Sequence, residues 1–287
     1  MQPFFSILVV CLNPGEKLAE TLESIETQSF QDYEVLVKDG LSADGSLAYA
    51  KELSEKWQRE KRLCKMKVVS QKDSGIYDAM NQASEAASGK YIYFLNCGDC
   101  FSSKTVLGEM ADFISECRKD ERRKGDVPGI YYGNIYERLT GQQVTSNPHL
   151  DAFGCYRNVP CHQACFYDRR LLATHPFDTR YRVRADYEQF LWCFFTNEFQ
   201  EKVEFRYKEI LIADYEGGGF SETKENRRVS AREHKEITEK YMSEGQIIKF
   251  RLILWMTLAP LRTKIAENEK TAGIYNRLKK MLYSRKQ

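Results

Sequence analysis

Asp73-Ser74-Gly75-Ile76-Tyr77-Asp78-Ala79-Met80-Asn81 leads, after a short helical segment, into Gly89-Lys90-Tyr91-Ile92-Tyr93-Phe94-Leu95-Asn96-Cys97-Gly98-Asp99. An acidic turn opens a helix, and the helix feeds an apolar, β-favouring run that stops abruptly at Asn, Gly and Asp. In an open α/β sheet, ligands gather at the carboxyl ends of the strands. Polar residues at such a strand end are therefore candidates for chemistry.

Upstream the same alternation repeats. Residues 4–11 form a continuous β-favouring run, 16–28 carry a helical pattern and 33–37 are apolar again, which makes a β-α-β unit. A second helical stretch, 47–59, leads to Lys67-Val68-Val69-Ser70, and a third, 76–87, leads to 91–95. Strands alternating with helices predict a parallel sheet with right-handed crossovers. That topology puts Asp39 and Asp99 just past strand ends on one rim. Downstream, a charged connection at 118–125 precedes strands predicted at 130–138, 164–167 and 203–213, so the second half reads as mixed.

A chain of 287 residues is long enough to bury a substantial core, and one domain with an appendage is expected. The net charge of +2 excludes a global basic field that would by itself recruit nucleic acid. The first ten residues lack a basic n-region and a small-residue cleavage site, which predicts a cytoplasmic protein. Nine cysteines, an odd number in such a chain, are expected to be reduced. The spacings of Cys97, Cys100, Cys161 and Cys165 are compatible with zinc, but buried free thiols are the commoner arrangement.

Three more segments fall in order with the opening stretch: Ser6-Ile7-Leu8-Val9-Val10-Cys11-Leu12-Asn13, then Val37-Lys38-Asp39-Gly40-Leu41-Ser42-Ala43-Asp44-Gly45-Ser46, and late in the chain Ala185-Asp186-Tyr187-Glu188. Singly each is weak, because Asp-Gly dipeptides mark many turns. Together, over residues 4–220, they make the chain resemble family 2 glycosyltransferases of the GT-A fold, the inverting, metal-dependent enzymes that use nucleotide sugars.

The resemblance implies a Rossmann-like, mostly parallel sheet flanked by helices. It also implies a nucleotide-sugar half at 1–100, an acceptor half at 101–222 and a helical extension at 223–287. It assigns Asn13, Asp39, Asp44, Asp73 and Asp99 to the donor, Asp99 to a divalent metal (Mn²⁺ or Mg²⁺), and Asp186 to the catalytic base. His162, Gln163 and Glu188 are assigned to the acceptor. Local chemistry offers other roles for several of these. Asp39 and Asp44 flank a glycine turn, with Asp44 placed to cap the next helix; Asp73 stands at a helix start. Asp186 too sits where a carboxylate favours a helix dipole, and a lone histidine such as His162 is commonly a core residue. Asp78 and Asn81 share a helix face, and an architectural role is expected for Asn81.

Two features depart from the family pattern. Relatives carry Asp-x-Asp where this chain has Asn96-Cys97-Gly98-Asp99, so one carboxylate remains, and either the metal is held more weakly or another group supplies a ligand. Leu12 stands where many relatives place an aromatic residue that stacks on the base; uridine is still the expected base. Gly217-Gly218-Gly219 suits either a mobile loop over the donor or a linker.

The expected activity is transfer of a sugar from a nucleoside diphosphate sugar to a hydroxyl, by resemblance that of a lipid-linked saccharide in cell-surface polysaccharide synthesis. Two rivals are an inactive sugar-nucleotide binder or membrane scaffold, and a nucleotidyltransferase. The latter usually carries a Gly-rich phosphate loop with Arg or Lys after its first strand, and Asn13-Pro14-Gly15-Glu16 is no such loop. From residue 247 onward the chain is basic and amphipathic, too short and charged to span a bilayer. It reads as a peripheral contact with the cytoplasmic face of a membrane, or else as a helix packed on protein.

Overall fold

The computed structural model describes residues 2–119, 126–196, 198–199, 202–218 and 223–257. The chain divides into two compact units, 1–237 and 238–287.

The first unit opens with β1 (Phe5–Cys11), α1 (Lys17–Glu26), β2 (Tyr33–Asp39), α2 (Leu47–Arg59), β3 (Lys65–Ser70), α3 (Ile76–Ala86) and β4 (Tyr91–Phe94). β1 lies between β2 and β4, and β2 pairs β3, all in parallel. Strands covered on both faces must be apolar throughout, and β1 and β4 are buried along almost their whole length. α1 turns Leu18, Leu22 and Ile25 inward at helical spacing. Gly89 lets the chain enter β4 beside β1, since a Cβ there would lie 2.6 Å from the Ser6 amide nitrogen.

After β4 come the two-residue β5 (Cys100–Phe101), α4 (Val106–Lys119), β6 (Gly129–Glu137), β7 (Gln142–Val144) and α5 (Ala152–Arg157). A 3₁₀ turn (His162–Ala164), β8 (Cys165–Asp168), α6 (Arg169–Thr174), α7 (Ala185–Phe195) and β9 (Glu204–Tyr215) follow. β8 docks antiparallel between β4 and β6, β9 runs parallel to β6, and β5 closes the far edge antiparallel to β9. The sheet order is β3-β2-β1-β4-β8-β6-β9-β5, with β7 on β6. Its aromatic core is continuous across the join: Tyr93 stacks on Phe166 with ring centroids 4.4 Å apart and on Phe101 at 5.1 Å.

α8 (Lys224–Tyr241) begins in the first unit, and the division between units falls inside it. In the second unit α9 (Glu244–Met256) starts at a capping box formed by Ser243 and Gln246. Ile247 and Phe250 are buried, while Ile248, Leu252, Trp255 and Met256 are exposed. The basic residues expected to continue this amphipathic tail, from Arg262 to Lys286, lie outside the described residues.

Candidate active site

A cavity of about 1150 Å³ opens at the carboxyl rim of the sheet. Leu12 and Asn13 reach it from the end of β1, Lys17 from α1, Tyr77 from α3, Asn96 and Asp99 from the end of β4, His162 and Gln163 from the 3₁₀ turn, Asp186 from α7 and Glu216 from the end of β9.

Asp99 is buried to 3 % exposure. Its Oδ1 accepts from the Glu216 amide at 2.9 Å and its Oδ2 from Gln163 Nε2 at 2.9 Å. Burial pushes its carboxyl above the usual range, and those hydrogen bonds together with the charges of His162 and Arg138 offset this only in part. The turn that carries it is clamped: Thr21 Oγ1 donates to the Asp99 carbonyl at 2.9 Å, and Arg138 donates to the Gly98 carbonyl. Gly98 has φ 97°, a left-handed conformation that favours glycine. Each oxygen of Asp99 keeps a second lone pair, enough for one bond to a hard cation whose remaining ligands are phosphate oxygens and water. Among the described residues no group of three or more His, Cys, Asp or Glu is placed to hold a metal by itself. Asp99 thus fits the single-carboxylate type of site.

Asp186 occupies the first turn of α7. Its Oδ1 lies 2.7 Å from the Tyr77 hydroxyl, and its Oδ2 lies 3.4 Å from His162 Nδ1. Burial pushes the Asp186 carboxyl up, but hydrogen bonding and charge from His162 and the hydroxyl of Tyr77 outweigh it, leaving the group below the usual range. The other face of the His162 ring meets Asn96, with Nε2 3.0 Å from Nδ2. Asn96 Oδ1 is buried without a hydrogen-bond partner, so the amide turned over would give that oxygen a partner in Nε2–H. The loop that enters α7 is bound from α8. Glu233, 2 % exposed, accepts the amides of Arg182, Val183 and Arg184 at 2.8, 3.0 and 2.9 Å.

Asn13, Asp99, His162, Gln163 and Asp186 therefore share one cavity. Four other expected residues do not line it. Asp39 is fully buried and accepts from the Leu41 and Ser42 amides and the Ser70 hydroxyl, and so holds the start of the 41–46 loop. Asp44 takes the Gly15 amide at 2.8 Å and the Ser46 amide at 3.1 Å and so ties two loops together. Asp73 is paired at 2.8 Å with Lys38, whose ammonium is itself buried, and also accepts the Gly75 amide. Glu188, expected at the acceptor, is fully buried and lies 3.0 Å from His175 Nε2, because the first turn of α7 points it away from the cavity that receives Asp186. Asn81 does serve the architecture, exchanging two hydrogen bonds with the Phe177 backbone.

Three further residues at or beside the cavity carry no assignment from the sequence. Tyr77 stood inside the quoted acidic motif but carried no assignment. Lys17 pairs with Glu216 at 2.7 Å over the cavity and places an ammonium near the Asp99 turn. Glu233 had no signal at all, since its partners lie about fifty residues earlier in the chain.

A glycosyltransferase is what this fold and rim of carboxylates define, and comparison with known proteins agrees. The family model for glycosyl transferase family 2 matches residues 6–151. A PGL/p-HBAD biosynthesis glycosyltransferase of Mycobacterium tuberculosis is 32 % identical over 227 residues, 77 % of this chain and 80 % of that protein. The chain belongs to glycosyl transferase family 2. Among solved structures, Staphylococcus aureus TarS 1-349 in complex with UDP-GlcNAc is similar with a TM-score of 0.56 at 18 % identity, covering 86 % of this chain and 69 % of that one. The chain spans 37 % of the longer TarS chain. The mannosyltransferase PcManGT from Pyrobaculum calidifontis, in complex with GDP-Man and Mn²⁺, is similar at a TM-score of 0.50 and 15 % identity, over 73 % of this chain and 58 % of that one. The fold is the GT-A fold anticipated from the four motifs.

Proposed function

We propose that this chain moves a sugar from a nucleoside diphosphate sugar, best read as a UDP-sugar, to a hydroxyl of a lipid-linked saccharide with inversion at the anomeric carbon. The observation that carries the reading is that Asp99, at the end of β4, and Asp186, at the start of α7, line one cavity on the carboxyl rim. Asp186 accepts the proton of the acceptor hydroxyl. The electron pair of the broken O–H bond attacks the anomeric carbon, and the bond to the diphosphate breaks on the opposite face with its pair departing on the phosphate oxygen. One base suffices, because no covalent sugar intermediate forms.

Asp99 would hold Mn²⁺ or Mg²⁺ against the diphosphate, and the ion would supply charge neutralisation of the leaving group. Lys17, paired with Glu216 at the cavity, would add to that neutralisation on exchanging this partner for the diphosphate. Asn13, Gln163 and His162 border the space that donor and acceptor would share. The UDP-GlcNAc seen in TarS supports a uridine donor and the Mn²⁺ of PcManGT supports the metal. The exposed apolar face of α9 is consistent with work at a cytoplasmic membrane surface.

The test is a panel of UDP- and GDP-sugars scored for thermal stabilisation with and without Mn²⁺, followed by transfer of labelled sugar to membrane lipid extract. Stabilisation by one UDP-sugar that needs Mn²⁺, with label entering lipid, is the expected result. Stabilisation without transfer under any metal would favour a sugar-nucleotide binder, and absence of both would place the donor site elsewhere.

A further inference from the structure

The Tyr77 hydroxyl lies 2.7 Å from Asp186 Oδ1 and 2.8 Å from the Val183 carbonyl oxygen. A phenol has one proton to donate. A backbone carbonyl can only accept, and so can an ionised carboxylate. With Asp186 ionised, as its lowered range implies, the single proton serves one of these oxygens and leaves the other contact without a hydrogen between. The charged oxygen wins the competition, since a hydrogen bond to a carboxylate is roughly twice as strong as a neutral one. Both short contacts are satisfied together in one protonation state alone. In it Asp186 carries a proton on Oδ1 and donates to Tyr77, and Tyr77 donates to Val183. The arrangement of oxygens is thus ready to receive the base once it has taken its proton.

We propose that Tyr77 is the positioning residue of the base, a hydroxyl that turns its proton from Asp186 to the Val183 carbonyl when Asp186 takes the proton of the acceptor. The inference rests on Asp186 being that base. The acceptor O–H bond breaks, leaving its electron pair on the attacking oxygen; the proton stays covalently on Asp186 Oδ1 and is shared with the phenol oxygen as a hydrogen bond; and the phenol proton rotates about the C–O bond to point at the Val183 carbonyl. No bond within tyrosine breaks and no co-reactant is needed. The surroundings make this switch firm. The Val183 carbonyl cannot drift away, because the amides on both sides of it and its own are gripped by Glu233. The tyrosine ring is packed on Phe177 at 5.6 Å, and burial pushes the phenol pKa well above its ordinary value, so the hydroxyl stays protonated throughout.

Two measurements test this. Tyr77→Phe keeps the ring and its packing and removes only the hydroxyl. It should leave calorimetric UDP affinity unchanged and lower kcat, with the donor found by the panel, about tenfold or more, part of the roughly 10²-fold a general base supplies. A rise in donor KM at unchanged kcat would overturn the proposal. The second needs no substrate. In protein carrying ring-labelled tyrosine, the Tyr77 C–O stretching band is isolated by subtracting the spectrum of Tyr77→Phe and compared between wild type and Asp186→Asn, whose amide N–H stands in for the proton-loaded carboxyl. The band should move toward that of a phenol that donates to a neutral carbonyl and accepts an added hydrogen bond from side chain 186; an unmoved band would reject the switch. Separately, undiminished turnover in Asp186→Asn would reject the base itself.

Discussion

Asp186 and Asp99 are two carboxylates of one cavity with opposite electrostatic settings. Hydrogen bonding keeps Asp186 ionised near neutral pH, as a base that must receive a proton requires. Asp186→Asn should therefore leave the fold and UDP binding intact and lower turnover by about 10²-fold or more; activity within a few-fold of wild type would remove it from that role. Burial works the other way on Asp99 and raises its carboxyl above the ordinary value of 3.8. Ionising it therefore costs stability as the pH rises through its folded pKa, and a cation that needs the ionised form competes with a proton at higher pH than at an ordinary aspartate. UDP affinity in Mn²⁺ should accordingly fall as the pH is lowered from 7 toward 5. Asp99→Ala should abolish the Mn²⁺ dependence, while affinity without metal stays as it was. Calorimetry at three pH values checks both, and a flat, metal-independent profile in wild type would exclude Asp99 as a ligand.

At the scale of elements, Asp39 and Glu233 show how loops are fastened to the sheet. Asp39 accepts several hydrogen bonds and lies below its ordinary range despite burial, so its contribution to stability is present above the unfolded value and is lost as the pH falls through the folded one. Asp39→Asn should cost about 2 kcal/mol at pH 7, on the scale of hydrogen bonds to a charged group, and less near pH 3. Urea unfolding at the two pH values measures it, and equal loss at both would contradict a charge-based role. Glu233→Ala strands three amides that lead into α7, so it should lower thermal stability and also kcat, because Asp186 rides on that helix. The contrast between these two residues shows what was legible. The first half, β1 to β4, could be read because each piece declares itself locally: apolar runs for strands, and a helical pattern for α1 that buries Leu18, Leu22 and Ile25. Asp39 was placed correctly at a strand end, yet its inward turn depends on the 41–46 loop folding back, which spacing does not encode. β5 has two residues and so no period. In α4, Val106, Leu107, Met110 and Ile114 do recur at helical spacing and are buried. Glu233 meets partners about fifty residues earlier in the chain, with all of β9 lying between them, and no local signal encodes such a long-range closure.

The whole molecule has to bring a water-soluble donor and, on the reading above, a lipid-borne acceptor to one cavity. No helix among the described residues is long and apolar enough to cross a membrane. α9 instead shows Ile248, Leu252, Trp255 and Met256 to solvent, spaced so that they share one stripe, with Lys249 and Arg251 exposed beside them. A helix that buries Ile247 and Phe250 and still leaves a second apolar stripe bare has one face more than its own packing uses. Trp and Leu above flanking cations suit the headgroup boundary of an anionic bilayer, where apolar burial and charge attraction add. Wild-type protein should co-sediment with vesicles containing anionic lipid, less so at high salt. Leu252→Glu with Trp255→Glu should abolish sedimentation while leaving soluble-donor binding intact, since the cavity lining draws on residues 10–230. If wild type and the double variant sediment equally, the stripe is not the anchor; if neither sediments and the wild type alone is a dimer, a second copy of the chain covers it.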